Sequence, residues 1–247
     1  MLQPSRCSIK SVAQMGPLSR GSLATIVAAL CVFISSTRAQ DPVKVAPGNY
    51  KVVFENNDAR VIEVTGKPGD KVAMHSHPDH VVYAVNPSKV KFTDADGKTK
   101  DVEMKAGEAK WVAAEAHESQ VVDGKDFKVV IVELKKVPAP GAKPAKVPDA
   151  EDQAKTSPDC TKVLLDNDRV RVLESRLKPG GKLPKHSHPA QIVYGITGGK
   201  VKFTTYPDEK TVEKTMDAGH AFAGGPVTHA VENIGPTDAH SLIVELK

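Results

Sequence analysis

Beyond residue 40 the apolar positions come in short alternating or β-branched runs. Alternation marks Arg60–Val64 (RVIEV) and Arg169–Glu174 (RVRVLE), and denser runs occur at His80–Val85 (HVVYAV), Lys128–Leu134 (KVVIVEL) and Ser241–Leu246 (SLIVEL). Turn formers separate them, at KPGD (67–70), NPSK (86–89), DADGK (94–98), ITGG (196–199) and YPDEK (206–210). A period of two bounded by Gly, Pro, Asn and Asp predicts strands joined by hairpins. No stretch past residue 40 keeps a useful helical period. The expected fold class is all-β, an antiparallel barrel or sandwich.

The pattern is also written twice. Val52–Val64 (VVFENNDARVIEV) matches Val163–Ser175 (VLLDNDRVRVLES) at an offset of 111. KPG meets KPG, HSHP (75–78) meets HSHP (186–189), and KVKFT (89–93) meets KVKFT (200–204) at the same offset. After the next turn the offset becomes 112, pairing Gly107 with Gly219, His117 with His229, and IVELK (131–135) with IVELK (243–247). So many matches in order mean a duplicated unit, expected at 48–136 and 161–247. The intervening stretch, 137–160, is rich in proline and reads as a semi-rigid linker or a belt between the copies. A unit this small has a thin core, so the copies are expected to pack together or to form a homo-oligomer through barrel packing.

Composition adds a compartment. Among 34 basic and 30 acidic residues, Arg6, Lys10, Arg20 and Arg38 are the only charges before residue 40, so the remainder balances. No electrostatic footprint for nucleic acid results. Residues 1–39 read as a cleaved signal peptide: a basic start, the apolar run Leu23–Ile34, and small residues Thr37 and Ala39 before the cut. Met15 is an alternative start to Met1. The apolar run falls short of the roughly 20 residues of a bilayer span, so no stable membrane anchor is expected and the protein is read as exported, periplasmic or secreted. Export would remove Cys7 and Cys31 and leave Cys160 without an intramolecular partner.

All nine histidines lie in the two repeats. His75 and His77, like His186 and His188, are spaced to project from one face of a strand. His117 and His229, about forty residues on, are placed to return toward the same interior. Three imidazoles suit a divalent transition metal (Fe, Mn, Cu, Ni or Zn) with positions left open for a ligand. His220 and His240 have no histidine counterparts in the first copy and are expected at the rim or surface.

On these residues the chain resembles the cupin superfamily, whose first motif runs Gly, five residues, His-x-His, then Glu, then Gly. Gly69, His75 and His77 match its opening, as do Gly180 or Gly181 with His186 and His188. The usual glutamate is replaced by His80 in one copy and Gln191 in the other. The second motif ends in His229 and Asn233, whereas His117 is followed by Val121. The resemblance implies two tandem cupin barrels of the jelly-roll type, closest to small single-cupin proteins carrying HSHP. The implied ligand sets are His75, His77, His80 and His117, and His186, His188, Gln191 and His229.

Loss of the carboxylate leaves a divalent complex near +2, which attracts a small anionic molecule. Four histidines against three plus an amide oxygen predict sites of unequal affinity, the first tighter. Trp111 aligns with Ala223 and either walls the first pocket or packs between repeats. His117 is flanked by Glu115, Glu118 and Gln120, and His229 by Thr228 and Glu232, none at a compelling catalytic spacing. Two functions are expected: a metal-dependent enzyme, oxygenase or related, on a small anionic substrate, or a non-catalytic exported metal- or ligand-binding protein.

Overall fold

A computed structural model describes residues 40–122, 124–136 and 147–247. The expected signal peptide and the linker core 137–146 lie outside the described residues. The first repeat contains β1 (Tyr50–Glu55), β2 (Ala59–Gly66), β3 (Lys71–His77), β4 (His80–Ala84), β5 (Ser88–Asp94), β6 (Thr99–Met104), β7 (Ala109–Val112), β8 (Glu115–Val121) and β9 (Phe127–Leu134). The second contains β10 (Thr161–Asp166), β11 (Val170–Leu177), β12 (Lys182–His188), β13 (Gln191–Gly195), β14 (Gly199–Thr205), β15 (Lys210–Met216), β16 (Ala221–Gly224), β17 (Val227–Asn233) and β18 (Ala239–Leu246).

Each repeat is a pair of antiparallel sheets. Five strands run β1-β2-β9-β4-β7 and four run β3-β8-β5-β6; the second repeat repeats both orders, as β10-β11-β18-β13-β16 and β12-β17-β14-β15. All nine strands of the first repeat contribute to the wall of one interior cavity. The KPG turns explain part of this regularity. Proline and glycine at the two central positions suit a type II turn, and Gly69 (φ 87°) and Gly180 (φ 73°) adopt the left-handed backbone it requires. Asp70 N and Gly181 N close the two turns onto Lys67 O and Lys178 O.

The five-stranded sheets are buried on both faces. In β2, Ala59 and Val61 face the other repeat while Ile62 and Val64 face the interior; in β9, Val130 and Val132 divide from Val129 and Ile131 in the same way. Such strands have no solvent face, which is why KVVIVEL and SLIVEL read as nearly continuous apolar runs. Val170, Val172, Leu242 and Val244 of the second repeat complete the shared cluster. Burying a valine or leucine contributes about 1.5–3 kcal/mol, so this seam is a major source of stability.

Two short helices precede the strands, α1 (Pro42–Val45) and α2 (Gln153–Thr156), the latter after a 3-10 turn at Asp149–Glu151. Asp41 Oδ1 accepts from Val43 N and Asp152 Oδ1 from Ala154 N, each at 2.9 Å. Because 41 and 152 stand 111 apart, the matched elements begin upstream of residues 48 and 161, and part of the expected linker belongs to the second repeat. Among the described residues no helix is long and apolar enough to cross a membrane.

Candidate metal centres

The histidines are placed by β3 and β8 in one repeat and by β12 and β17 in the other. His75 is the cross-strand partner of His117, and His186 of His229. Both ladders slip just before the histidine pair, between Val72 and His75 and between Leu183 and His186. A bulge re-aims the residues after it, and here it turns His75 and His77 inward together.

Two triads result, His75–His77–His117 and His186–His188–His229, each with its candidate ligand atoms within 4.8 Å of one another. All are buried except His229, which is partly covered. His75 Nδ1 donates to Ala73 O at 2.8 Å and His186 Nδ1 to Pro184 O at 2.7 Å. His77 Nδ1 donates to Glu133 Oε1 at 2.7 Å, His188 Nδ1 to Glu245 Oε1 at 2.6 Å, and His117 Nδ1 to Glu115 Oε1 at 2.9 Å. With Nδ1 committed as donor, Nε2 keeps its lone pair for a cation.

Electrostatics point the same way. Burial pushes His75 and His186 down to about 4, and His229 to about 3, with neighbouring imidazoles adding to the fall. These rings are neutral at pH 7, as ligation requires. His186 Nε2 and His229 Nε2 are buried with no hydrogen-bond partner. Orphaned, convergent, neutral imidazole nitrogens fit a divalent transition metal and fit little else.

His80 and Gln191 flank the triads at equivalent positions, opening β4 and β13. His80 lies 5.0 Å ring to ring from His77, donates from Nδ1 to Pro78 O, and is held near 4 by burial and by His77. Gln191 Oε1 is buried without a partner. Trp111 does not wall the first cavity. Its neighbours Lys110 and Val112 do, while Trp111 packs against the seam between repeats with Arg169 5.7 Å over its ring. His240 is likewise not at the surface: it is buried, with Nε2 2.8 Å from Glu174 Oε1.

Of the carboxylates behind the triads, Glu115 stands beside His117 in the sequence, but Glu133 and Glu245 escape a reading of the residues next to His117 and His229. Arg60 Nε donates to Glu133 Oε2 at 2.7 Å and its Nη1 to Asp41 Oδ2 at 2.6 Å, giving a relay Asp41–Arg60–Glu133–His77. The second repeat has Asp152–Arg171–Glu245–His188, with Arg171 2.9 Å from Asp152 and 3.8 Å from Glu245. Burial works to raise Glu133, but hydrogen bonds from His77 and Arg60 hold it below the usual carboxylate range. The available signal was a glutamate inside an apolar strand, IVEL, present in both repeats.

The interiors differ. Tyr50 OH donates to His75 Nε2 at 3.2 Å, whereas Thr161 stands in its place in the second repeat. The first cavity measures about 130 Å³ and the second about 420 Å³.

Paired five- and four-stranded antiparallel sheets around a buried histidine triad make a cupin-type fold, present here in duplicate, each copy with a histidine cluster that could hold a metal ion. Solved structures agree. AerE from Microcystis aeruginosa is similar at a TM-score of 0.60 and 13% identity, over 85% of this chain and 97% of that one. An oxalate decarboxylase from Bacillus subtilis is similar at 0.58 and 14%, over 80% and 72% of the two chains. That from Lactobacillus farciminis, in complex with formate, is similar at 0.56 and 14%, over 80% of each chain. No protein-family model matches the chain, and no curated protein matches it.

Proposed function

We propose that the chain is an exported metal-binding protein of two tandem cupin barrels, whose first barrel acts as a metal-dependent enzyme of the oxidoreductase class on a small organic anion. The observation that carries this reading is the buried histidine triad His75, His77 and His117, backed by Glu133 and Glu115. A divalent ion held there would supply Lewis-acid and redox activation to a coordinated anion. The chain's own groups suit the rest. Lys100 and Lys110 line the cavity beside Glu115 and favour an anion; Glu115 Oε1 accepts from His117 Nδ1, which holds its carboxylate below the usual range and keeps it ionised behind that ring. A cavity of about 130 Å³ matches a molecule of a few carbon atoms, the size of the oxalate and formate named for the similar structures. Manganese is a candidate metal because one similar structure is described for its Mn(II) centres.

A second reading, a non-catalytic metal- or ligand-binding protein, has its best support in the second repeat. Among the described residues lining that cavity there is no aspartate or glutamate. Export rests on residues 1–39, and N-terminal sequencing of protein recovered from the periplasm or medium tests it.

Elemental analysis of the mature protein tests the metal reading: two equivalents per chain are expected, and none would refute it. His75→Ala with His77→Ala should remove one equivalent. Oxygen uptake and carbon dioxide release with oxalate, diketones and catechols then test turnover, which this double variant should abolish. Turnover that survives it would assign the chemistry elsewhere. The first triad has two carboxylates behind it and the second has one, which favours the first as the tighter site. Under mild chelation the second should empty first; the reverse order would overturn that ranking.

A further inference from the structure

The second cavity differs from the first at positions that the repeat lets us compare directly. Tyr50, Val64, Phe127 and Val129 narrow the first, and their counterparts are Thr161, Ser175, Ala239 and Ser241. The first interior is packed by a cluster running from Tyr50 and Ile62 to Phe127 and Ile131, whereas among the described residues the matching cluster in the second has Leu173, Val193 and Ile243 as its buried members. A space of about 420 Å³ falls in the range of sites for ligands of drug size. The first, about 130 Å³, has room for about four waters.

The wall of the larger cavity is apolar along Leu183, Val201, Phe203, Met216 and Phe222. Polar side chains interrupt it, among them Gln191 beside the triad and Gln153, which α2 delivers to the cavity and which is 1% exposed. Gln153 Nε2 donates to Thr161 Oγ1 at 2.9 Å and Ser175 Oγ at 3.0 Å, which fixes the amide and leaves Oε1 buried with no partner. A buried acceptor left unmet is costly, so a cavity built around one is shaped for a donor. Lys210 and Lys214 also border the space and favour an anionic ligand.

We infer that the second repeat is a binding site for a hydroxylated cyclic carboxylate, larger than the first repeat admits. Its carboxylate faces the His186–His188–His229 centre, its apolar ring fills the widened interior, and its hydroxyl donates to Gln153 Oε1. The inference rests on the metal-binding reading above for the carboxylate end, and on Gln153 and the cavity for the other. The two repeats thus divide their labour by size, with chemistry on a small anion in one and recognition of a larger acid in the other.

Isothermal titration of the mature, zinc-loaded chain with 4-hydroxybenzoate, benzoate and oxalate tests this, with zinc counted on the same samples. One equivalent of 4-hydroxybenzoate should bind, with benzoate weaker by about fivefold, as expected for one lost hydrogen bond. Gln153→Leu should erase that preference while leaving benzoate binding and zinc content unchanged. Ala239→Phe, which copies Phe127, should abolish binding of both aromatic acids and keep both zinc ions. Should that variant fail to fold by circular dichroism, the smaller Ala239→Leu should still weaken binding at least tenfold. Zinc-free protein would refute the metal reading. Zinc-loaded protein that binds neither aromatic acid, binds two equivalents alike, or ignores the Ala239 and Gln153 changes would overturn this inference.

Discussion

Glu133 shows how much of the metal centre is set by single residues away from it. Its carboxylate accepts the hydrogen bond from His77 Nδ1 and is itself held by Arg60, so His77 is fixed in one tautomer and one orientation. Removing such support typically costs 10–100-fold in metal affinity. Glu133→Gln is therefore expected to weaken the first site by about that factor and to spare the second, and Glu245→Gln to do the converse; competition with a chromophoric chelator reads both. The buried histidines also set an acid limit. His75, His80 and His186 titrate near 4 in the folded chain and His229 near 3, against about 6.5 unfolded. Above pH 6.5 both states are neutral and nothing is lost. As pH falls from 6.5 toward 4 the unfolded chain binds protons that the folded one refuses, so stability declines, by up to about 1.4 kcal/mol per pH unit for each histidine. Urea midpoints of the metal-free protein should drop across that window, and a flat profile would refute the burial argument. The histidine positions were plain in the spacing, and Glu115 stands two residues from His117. Glu133 was not legible, since it is 56 residues from His77 and only the tertiary fold joins them.

At the scale of elements, period-two reading located the strands but not the slips in them. The break in register before His75 and again before His186 is invisible to composition, because a bulge is a backbone adjustment to the partner strand. Trp111 illustrates the same limit. Its parity with His117 holds only along one unbroken strand, and β7 ends at Val112 before β8 begins at Glu115. The seam between the five-stranded sheets has its own polar stitches, related by the internal repeat. Tyr83 OH donates to Glu174 Oε1 at 2.9 Å, and Tyr194 OH to Glu63 Oε1 at 2.6 Å. Each is a hydrogen bond to a charged group, worth about 1.5–3 kcal/mol. Tyr83→Phe and Tyr194→Phe should each lower stability by about that amount in chemical denaturation, with the metal content unchanged. Loss of metal instead would mean that the seam and the centres are coupled.

For the whole molecule, the seam makes the repeats interdependent. Val61, Val81, Val130 and Val132 on one side meet Val172, Ile192, Leu242 and Val244 on the other, and every one of them is at most 1% exposed. Separated repeats would present these faces to water, and large exposed apolar patches drive association. Residues 147–247 produced alone should self-associate or precipitate, as light scattering would detect, and a monodisperse monomer would contradict that role for the seam.

The sequence by itself determined the duplication, the strand-rich class and the identity of the six triad histidines. Those are local properties, carried by spacing, by period and by an offset of 111 or 112. The tertiary structure alone decided that Glu133 and Glu245 stand behind the imidazoles, that Trp111 packs against the seam and His240 is buried against Glu174, and that one interior is narrow while the other is wide. These depend on side chains from strands distant in the chain meeting across a sheet or a cavity. The size of that cavity follows from packing volume, a sum over many residues that no short stretch of the chain records.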